Sequence, residues 1–291
     1  MSARQEYLVL INPISGRGLG RRMAGPLADA FSRLGIKAEV IVLPGPGAAL
    51  GLIQSRIERS TAVIAVGGDG TVNEAAAAIY QSGLRRPIGL VPLGLSNCLA
   101  RHFHLPLDLE AAVRIIARGR RQTLDLIEFG GRVAVSFLGF GFDAAVVEKV
   151  AGRRRGAIRN LAYVSAAWSS LFQPVWPELE VEVDGRRIPG RYYQVLLSQT
   201  VNYARFFRLP PRPGFQACLF RGSGPIGLIR SLVRLGWQRD LERACDSAWP
   251  VKQSLRVVSN RGPGFFQYDG EAGGVLPFHG EVRPEALEVI V

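Results

Sequence analysis

A glycine-rich turn around an acid is the segment of this chain best suited to chemistry. Gly67, Gly68, Asp69 and Gly70 follow an apolar strand pattern and precede a helical pattern that opens near Thr71. We expect the glycines to adopt positive φ and to bring the backbone close to a ligand, while the first N–H groups of the helix point at it. Phosphate suits such a turn, and the carboxylate of Asp69 suits a Mg²⁺ ion that arrives with a nucleotide.

Three other interpretations of the glycine-rich segments fit the sequence less well. A capping box formed by Thr71 and Glu74 needs one small residue rather than three glycines around an acid. A Walker-type loop is excluded because none of the chain's lysines, Lys37, Lys149 and Lys252, follows a glycine loop. The glycines in residues 16–20 fall at every second position, which does not fit a dinucleotide fingerprint.

Composition limits the partners without choosing one. The chain carries 36 Lys and Arg residues against 24 acids, a net charge of +12, which attracts anionic lipid surfaces, nucleic acids or polyphosphates. Its aromatic residues do not alternate with the arginines as stacking platforms would, so we expect no nucleic-acid partner. Three cysteines without CxxC spacing favour a reducing, cytoplasmic compartment and no resident metal site.

Hydropathy predicts a chain that does not cross a membrane. No apolar run reaches ~18 residues, the length that a transmembrane helix needs. The first residues are polar, which does not fit a signal peptide. We therefore expect neither element, and expect any membrane contact to be peripheral.

The first part of the chain alternates apolar strand patterns with helical patterns, which is typical of a parallel sheet flanked by helices. In such sheets ligands bind at the carboxyl ends of the strands, where each candidate phosphate loop begins. The predicted strands are Tyr7–Ile11, Lys37–Val42, Thr61–Val66 and Ile88–Val91. The predicted helices are Gly20–Leu34, Ala48–Glu58 and Val72–Gln81, with two more after Ser96 and after Leu107.

After Thr123 the sequence changes to short β-rich runs such as Leu179–Val183, Tyr192–Leu197 and Leu255–Val258, with a turn at residues 184–185. This pattern predicts a second, mostly antiparallel domain with inserted helices.

Two inserted segments of this second half, residues 153–171 and 225–237, combine arginines with an apolar helical pattern and a tryptophan. Each is suited either to a lipid surface or to packing inside the domain.

Four motifs in order resemble those of the diacylglycerol-kinase-type lipid kinases, which include sphingosine and ceramide kinases and share a nucleotide fold with NAD kinases. The glycine-Asp-glycine turn is one of them. The others are Asn12-Pro13-Ile14-Ser15-Gly16 after the first strand, Pro92-Leu93-Gly94-Leu95-Ser96-Asn97-Cys98-Leu99-Ala100-Arg101 after the fourth, and Asp269-Gly270-Glu271 near the end. Together they span nearly the whole chain.

The resemblance implies a fold of two domains. A doubly wound α/β nucleotide-binding domain is expected over residues 1–124, and an antiparallel β-sandwich that takes the acceptor over residues 125–283. A final strand over residues 284–291 is expected to return to the first domain.

The resemblance also implies a function: transfer of the γ-phosphate of ATP, with Mg²⁺ delivered alongside it, to a lipid hydroxyl at an anionic membrane surface, by a cytoplasmic protein that binds membranes peripherally. Glu271 would act as general base, and Asp69 would be the second catalytic residue. A homodimer stays open. The expected nucleotide contacts are Asn12, Pro13, Ser15, Gly16, Gly67, Gly68, Asp69, Gly70, Thr71, Asn73, Glu74, Gly94 and Asn97.

The chain also departs from the family pattern. Leu95 stands where a threonine is expected, Cys98 where an aspartate is expected, and no carboxylate lies near Gln216, where the family has a structural Mg²⁺ site. No metal site of the protein's own is therefore expected. Alternatives to a diacylglycerol kinase are a ceramide or sphingoid-base kinase, an NAD kinase, and an inactive homologue that binds nucleotide or lipid.

Overall fold

The computed structural model describes residues 6–45, 47–151, 176–203, 207–222, 224–238, 240–262 and 264–291. They form two compact units: unit 1 holds the residues up to Leu126 together with Pro284–Val291, and unit 2 holds Ile127–Arg283. The chain enters unit 2 within strand β5 (Arg121–Phe129) and leaves it within strand β17 (Phe278–Ile290). Unit 1 is α/β and unit 2 is largely antiparallel β, which confirms the predicted fold class.

Unit 1 is built on a parallel sheet of order β17-β4-β3-β1-β2. Its inner strands are almost fully buried, which explains their continuous apolar sequences. Val66 pairs with Ile11 on one side and with Val91 on the other, near the carboxyl ends of three strands, so the loops that follow leave from one edge. The strands, all close to the predicted ranges, are β1 (Glu6–Ile11), β2 (Lys37–Val42), β3 (Ala62–Gly67) and β4 (Ile88–Pro92).

The helices of unit 1 match the predicted order with one correction. The predicted helix Gly20–Leu34 begins only at Ala24, because a 3₁₀ segment (Ser15–Arg22) precedes it. In that segment three consecutive residues have positive φ, 61° at Gly16, 58° at Arg17 and 91° at Gly18, and cannot continue a right-handed helix. The helices are α1 (Ala24–Arg33), α2 (Ala48–Arg56), α3 (Asp69–Gln81), α4 (Cys98–His102) and α5 (Leu109–Arg118).

Unit 2 is an antiparallel sheet system that encloses one apolar core. The first half of strand β9 pairs with β8, and its second half pairs with β7 and β12. The predicted turn at residues 184–185 is confirmed, with φ of 50° and 76°. The strands are β6 (Arg132–Ala134), β7 (Phe137–Gly141), β8 (Leu179–Val183), β9 (Arg186–Ser198), β10 (Asn202–Tyr203), β11 (Phe207–Arg208), β12 (Phe215–Arg221), β13 (Ser247–Val251), β14 (Ser254–Ser259), β15 (Phe265–Tyr268) and β16 (Glu271–Val275).

Within the described residues, unit 2 contains three helices: α6 (Phe142–Ala151), α7 (Gly224–Gln238) and α8 (Leu241–Ala244). Helix α7 confirms the predicted segment 225–237, whereas the predicted segment 153–171 lies outside the described residues. In the described part of the chain, no helix is both long enough and apolar enough to cross a bilayer.

Candidate functional site

Three loops meet at the carboxyl edge of the unit 1 sheet. We name them by position: the first loop is residues 12–16, the second 67–71 and the third 92–97. The N–H of Asn12 donates to the carbonyl of Val66 (3.0 Å), and the N–H of Leu93 donates to the carbonyl of Gly67 (2.7 Å). The end of strand β3, where the second loop begins, therefore holds the other two loops through backbone hydrogen bonds.

The prediction of positive φ at the glycines of the second loop is wrong. The glycines of the second and third loops instead allow a close approach of neighbouring atoms. Neither Gly67, Gly68 nor Gly70 has a positive φ, and Gly68 is extended at φ −100°. A Cβ on Gly67 would lie 2.4 Å from the Thr71 hydroxyl oxygen, and one on Gly94 would lie 2.5 Å from the Cα of Gly68. A side chain at Gly94 would force the third loop away from the second, and one at Gly67 would displace Thr71.

Helix α3 begins at Asp69, three residues before the predicted start at Val72. Gly68 is its N-cap residue, and its carbonyl accepts the N–H groups of Thr71 (3.0 Å) and Val72 (3.1 Å). Gly70 is exposed in the first turn of the helix. An exposed helix start of this kind favours an anion, because the N–H groups ahead of Thr71 have no carbonyl acceptor in a preceding turn of the helix.

The Asp69 carboxylate contacts the backbone at the end of the third loop and the start of α4, while its contact with Mg²⁺ stays a prediction. Its Oδ2 accepts the backbone N–H of Asn97 (2.9 Å) and its Oδ1 accepts that of Cys98 (2.5 Å). Burial raises the pKa of Asp69, and the two backbone N–H groups act in the opposite direction. Each oxygen thus holds one backbone N–H, at the end of the third loop and at the start of α4, and these contacts give Asp69 a positioning role.

The third loop is closed by Asn97. Its Oδ1 accepts the N–H of Gly94 (2.9 Å), its Nδ2 donates to the carbonyl of Gly94 (2.9 Å), and its own φ is +47°. Leu95, at the position of the expected threonine, is exposed, and Cys98 is buried and contributes its N–H to Asp69. Neither departure removes a group that closes the loop.

Asn12 ties the first loop to helix α3. Its Nδ2 donates to the Thr71 hydroxyl oxygen (2.9 Å), and its Oδ1 accepts the N–H of Ile14 (3.1 Å). Pro13 is buried, whereas Ser15 and Gly16, with φ +61°, are partly exposed at the start of the 3₁₀ segment. The structure thus brings these four residues to the same edge as the second loop.

Two further predicted residues lie deeper in α3. The carboxylate of Glu74 accepts the N–H of Ala49 (2.8 Å), which fixes α3 to the start of α2 rather than facing a ligand. Asn73 is buried, and among the described residues its Oδ1 has no hydrogen-bond partner. A shallow pocket nearby is lined by Gly67, Gly68, Asp69, Val72, Leu90, Val91, Pro92, Asn97, Leu99 and Ala100.

In unit 2, Asp269 fastens the turn that precedes Glu271. It has a φ of +48°, and its buried carboxylate accepts three consecutive N–H groups, from Val135 (2.8 Å), Ser136 (2.7 Å) and Phe137 (3.0 Å). Glu271 begins β16, and its side chain is exposed. Asp269 therefore fixes the backbone of the turn, and the exposed Glu271 side chain follows directly after it.

A buried polar network that the sequence did not predict also holds the turn before Glu271. Gln267 accepts the N–H of Gly270 (3.0 Å) and donates from Nε2 to the Asp143 carboxylate (2.9 Å) and the Tyr203 hydroxyl oxygen (2.7 Å). The Tyr203 hydroxyl donates to the same Asp143 oxygen (2.7 Å). Burial raises the pKa of Asp143 and that of Tyr203.

The available sequence signal for this network was one acid, Asp143, inside an otherwise apolar stretch. Gly139 leaves room for it, because a Cβ there would lie 2.2 Å from the Asp143 carboxylate. Among the residues that the structure describes, no group of three or more His, Cys, Asp or Glu side chains could hold a metal ion.

Comparison with known proteins gives a consistent family. Residues 6–129 match the model of the diacylglycerol kinase catalytic domain. The chain is 26% identical over 282 residues to a diacylglycerol kinase of Staphylococcus carnosus, covering 94% of this chain and 91% of that protein. A relative of the same name from Staphylococcus saprophyticus is 25% identical over 279 residues, with the same coverage.

The fold is also similar to a solved structure of a diacylglycerol kinase from Bacillus anthracis strain Sterne. The TM-score is 0.77 at 17% sequence identity, and the match covers 100% of this chain and 98% of that one. The N-terminal match includes all three loops of the unit 1 edge, while the two relatives and this structure extend the likeness through unit 2.

Asp69→Asn tests the role of Asp69 in holding the third loop. The amide places a donor where one carboxylate oxygen now accepts a backbone N–H, so one hydrogen bond is lost and a partly buried donor stays unpaired. We expect the free energy of unfolding to fall by about 1–3 kcal/mol in urea titrations. Glu74→Gln is the control, because one amide oxygen can still accept the Ala49 N–H. Equal stability of Asp69→Asn and the parent would contradict this role.

Gln267→Met tests the network beneath the turn. The substitution keeps the volume but leaves the Asp143 carboxylate and the Gly270 N–H short of a partner, so unfolding free energy should fall by about 1–3 kcal/mol. Gln216→Met is matched, since Gln216 is a buried glutamine of unit 2 whose Oε1 has no partner within the described residues. We expect a smaller loss there, and the reverse order would refute the assignment.

Proposed function

We propose that this chain, whose residues 6–129 match the diacylglycerol kinase catalytic domain, is a lipid kinase that uses ATP. The γ-phosphate of ATP is transferred to a lipid hydroxyl, with diacylglycerol as the first acceptor to test. The observation that carries this proposal is the assembly of three family loops around the exposed start of α3. In phosphoryl transfer, positioning and charge neutralisation supply most of the catalysis.

The unit 1 edge fits a nucleotide triphosphate. The first turn of α3 offers backbone N–H groups, and the absence of side chains at Gly68 and Gly94 lets the second and third loops lie in contact beside it. The first loop, held by Asn12, lies on the other side of the second loop and adds the backbone of Ser15 and Gly16. These groups bind and orient the phosphates without a lysine.

Mg²⁺ fits this site as a companion of the nucleotide rather than as an ion held by the protein. When it is bound with the nucleotide, the ion would supply positive charge that offsets the negative charge of the transferred group. Both Asp69 oxygens already accept backbone N–H groups, so this carboxylate would shape the third loop and leave the ion to phosphate and water.

Glu271 is the residue we assign as general base. It is an exposed carboxylate next to a turn that Asp269 and Gln267 hold in place. In the proposed step the acceptor oxygen forms a bond to the γ-phosphorus while the bond to the β–γ bridging oxygen breaks. The hydroxyl proton passes to the Glu271 carboxylate.

The departures at Leu95 and Cys98 do not favour an inactive homologue. Loop closure uses the Asn97 side chain and the Cys98 backbone N–H, and both are in place. The curated relatives carry the name diacylglycerol kinase, which supports the lipid branch over an NAD kinase.

Transfer of labelled phosphate from ATP to a panel of acceptors tests the proposed reaction. The panel contains diacylglycerol, monoacylglycerol, ceramide and a sphingoid base in mixed micelles with Mg²⁺, and NAD as a soluble control. We expect label in diacylglycerol. Label in ceramide or the sphingoid base would change the acceptor, label in NAD would replace the proposal, and ATP binding without transfer to any acceptor would indicate a nucleotide-binding homologue.

Glu271→Gln tests the proposed base. Loss of the proton acceptor should lower kcat by roughly 10²- to 10⁴-fold, while the KM for ATP stays close to the parent value, because the nucleotide contacts are assigned to other residues. Glu281→Gln removes another exposed acid of unit 2 and should keep parental turnover. Full turnover by Glu271→Gln would remove Glu271 from the chemistry.

A further inference from the structure

Helix α7 is apolar on two sides, which is unusual for a helix on the surface of a domain. Its inner side packs on unit 2 through the buried side chains of Leu228, Ser231 and Leu235. The Ser231 hydroxyl donates to the carbonyl of Gly227 (3.0 Å), so its polar atom is satisfied within the helix. A helix with one buried side is expected to be polar on the other.

The outer side of α7 is apolar instead. Ile226, Ile229, Val233 and Trp237 follow one another at spacings of three, four and four residues, which places them on one stripe of the helix. Their exposed fractions are 80%, 55%, 59% and 88%. Isolated exposed apolar residues need no explanation, whereas a contiguous stripe marks a surface that binds another apolar phase.

Arginines border this stripe. The helix contains Arg230 and Arg234 and no acidic residue between Gly224 and Gln238. Arg234 contacts the Asp246 carboxylate (3.0 Å), and Arg230 contacts it at 3.4 Å and donates to the carbonyl of Arg221 (2.9 Å). One carboxylate thus faces two guanidinium groups, and the border keeps a positive surplus.

We propose that the stripe of α7 docks on the headgroup region of a bilayer that contains anionic phospholipids. Apolar side chains of an interfacial helix enter the boundary between headgroups and acyl chains, while bordering arginines reach lipid phosphates. Tryptophan, here Trp237, is enriched at this depth of a membrane. The proposal rests on the proposed function, since a kinase of a lipid has to meet its acceptor at a membrane surface.

Charge favours lipid over a second copy of this chain as the occupant. An antiparallel pair of α7 helices would bring four arginines, two from each copy, to the rim of one apolar contact, and like charges oppose such a pairing. An anionic surface meets the same arginines favourably, and the net charge of +12 adds a long-range attraction to it.

Vesicle binding by the full chain tests the proposal without relying on turnover. Cosedimentation is measured with phosphatidylcholine vesicles and with vesicles that also contain phosphatidylglycerol. We expect binding to the anionic vesicles, and a loss of roughly tenfold or more in the double variant Ile229→Glu/Val233→Glu. The control Val275→Glu changes another exposed apolar residue of unit 2 and should bind as the parent does.

The contradicting outcomes are distinct. Equal vesicle binding by the double variant and the parent would overturn the docking assignment, provided that thermal unfolding shows both to be folded. A dimer of the parent in light scattering that the double variant abolishes would assign the stripe to a second copy and overturn the lipid proposal.

A short-chain diacylglycerol dissolved as monomers separates docking from chemistry. The double variant should phosphorylate this soluble acceptor at the parental rate and lose turnover on vesicles. Equal loss on both acceptors would contradict a role confined to docking. If the parent phosphorylates neither acceptor but binds anionic vesicles through the stripe, the lipid kinase proposal fails while the docking proposal stands.

Discussion

The contact between the second and third loops of unit 1 is the constraint on which the candidate site depends. Gly68 and Gly94 touch without side chains between them, and Asp69 accepts two consecutive N–H groups from the start of α4. Burying a carboxylate is costly, and the raised pKa of Asp69 reflects that cost. The hydrogen bonds offset it, and together they fix where the backbone of the third loop stands relative to α3.

Aspartates that accept consecutive backbone N–H groups also occur in unit 2. Asp269 accepts the N–H groups of three consecutive residues in the segment before β7, and Asp184 accepts those of Lys252, Gln253 and Ser254. In each case an aspartate on one segment organises a distant piece of backbone. The aspartates of the sequence motifs thus serve as loop anchors, and the exposed acid that remains for chemistry in the motif Asp269-Gly270-Glu271 is Glu271.

Local patterns in the sequence were enough to place most elements. Strands β1–β4 and the helices between them follow from apolar runs and periodicity, because parallel strands buried on both faces need continuous apolar residues. The start of α1 was wrong because positive φ at Arg17, a non-glycine residue, has no sequence signature. The role of the glycines was wrong because a close contact with Gly94 depends on a residue far along the chain.

The polar network of unit 2 escaped prediction for the same reason. Asp143, Tyr203 and Gln267 lie about sixty residues or more apart in sequence and meet only in the folded domain. None of these three residues stands out from the sequence around it. Such networks follow from tertiary placement, so single-sequence reasoning finds the motif Asp269-Gly270-Glu271 but not the groups that hold it.

A crystal structure with Mg²⁺ and a non-hydrolysable ATP analogue would test the central claim most directly. The account predicts the β- and γ-phosphates on the backbone N–H groups at the start of α3 and beside Gly94, with Asp69 still bonded to Asn97 and Cys98. A nucleotide bound away from the three loops, or an Asp69 carboxylate that leaves the third loop to ligate the ion, would contradict it.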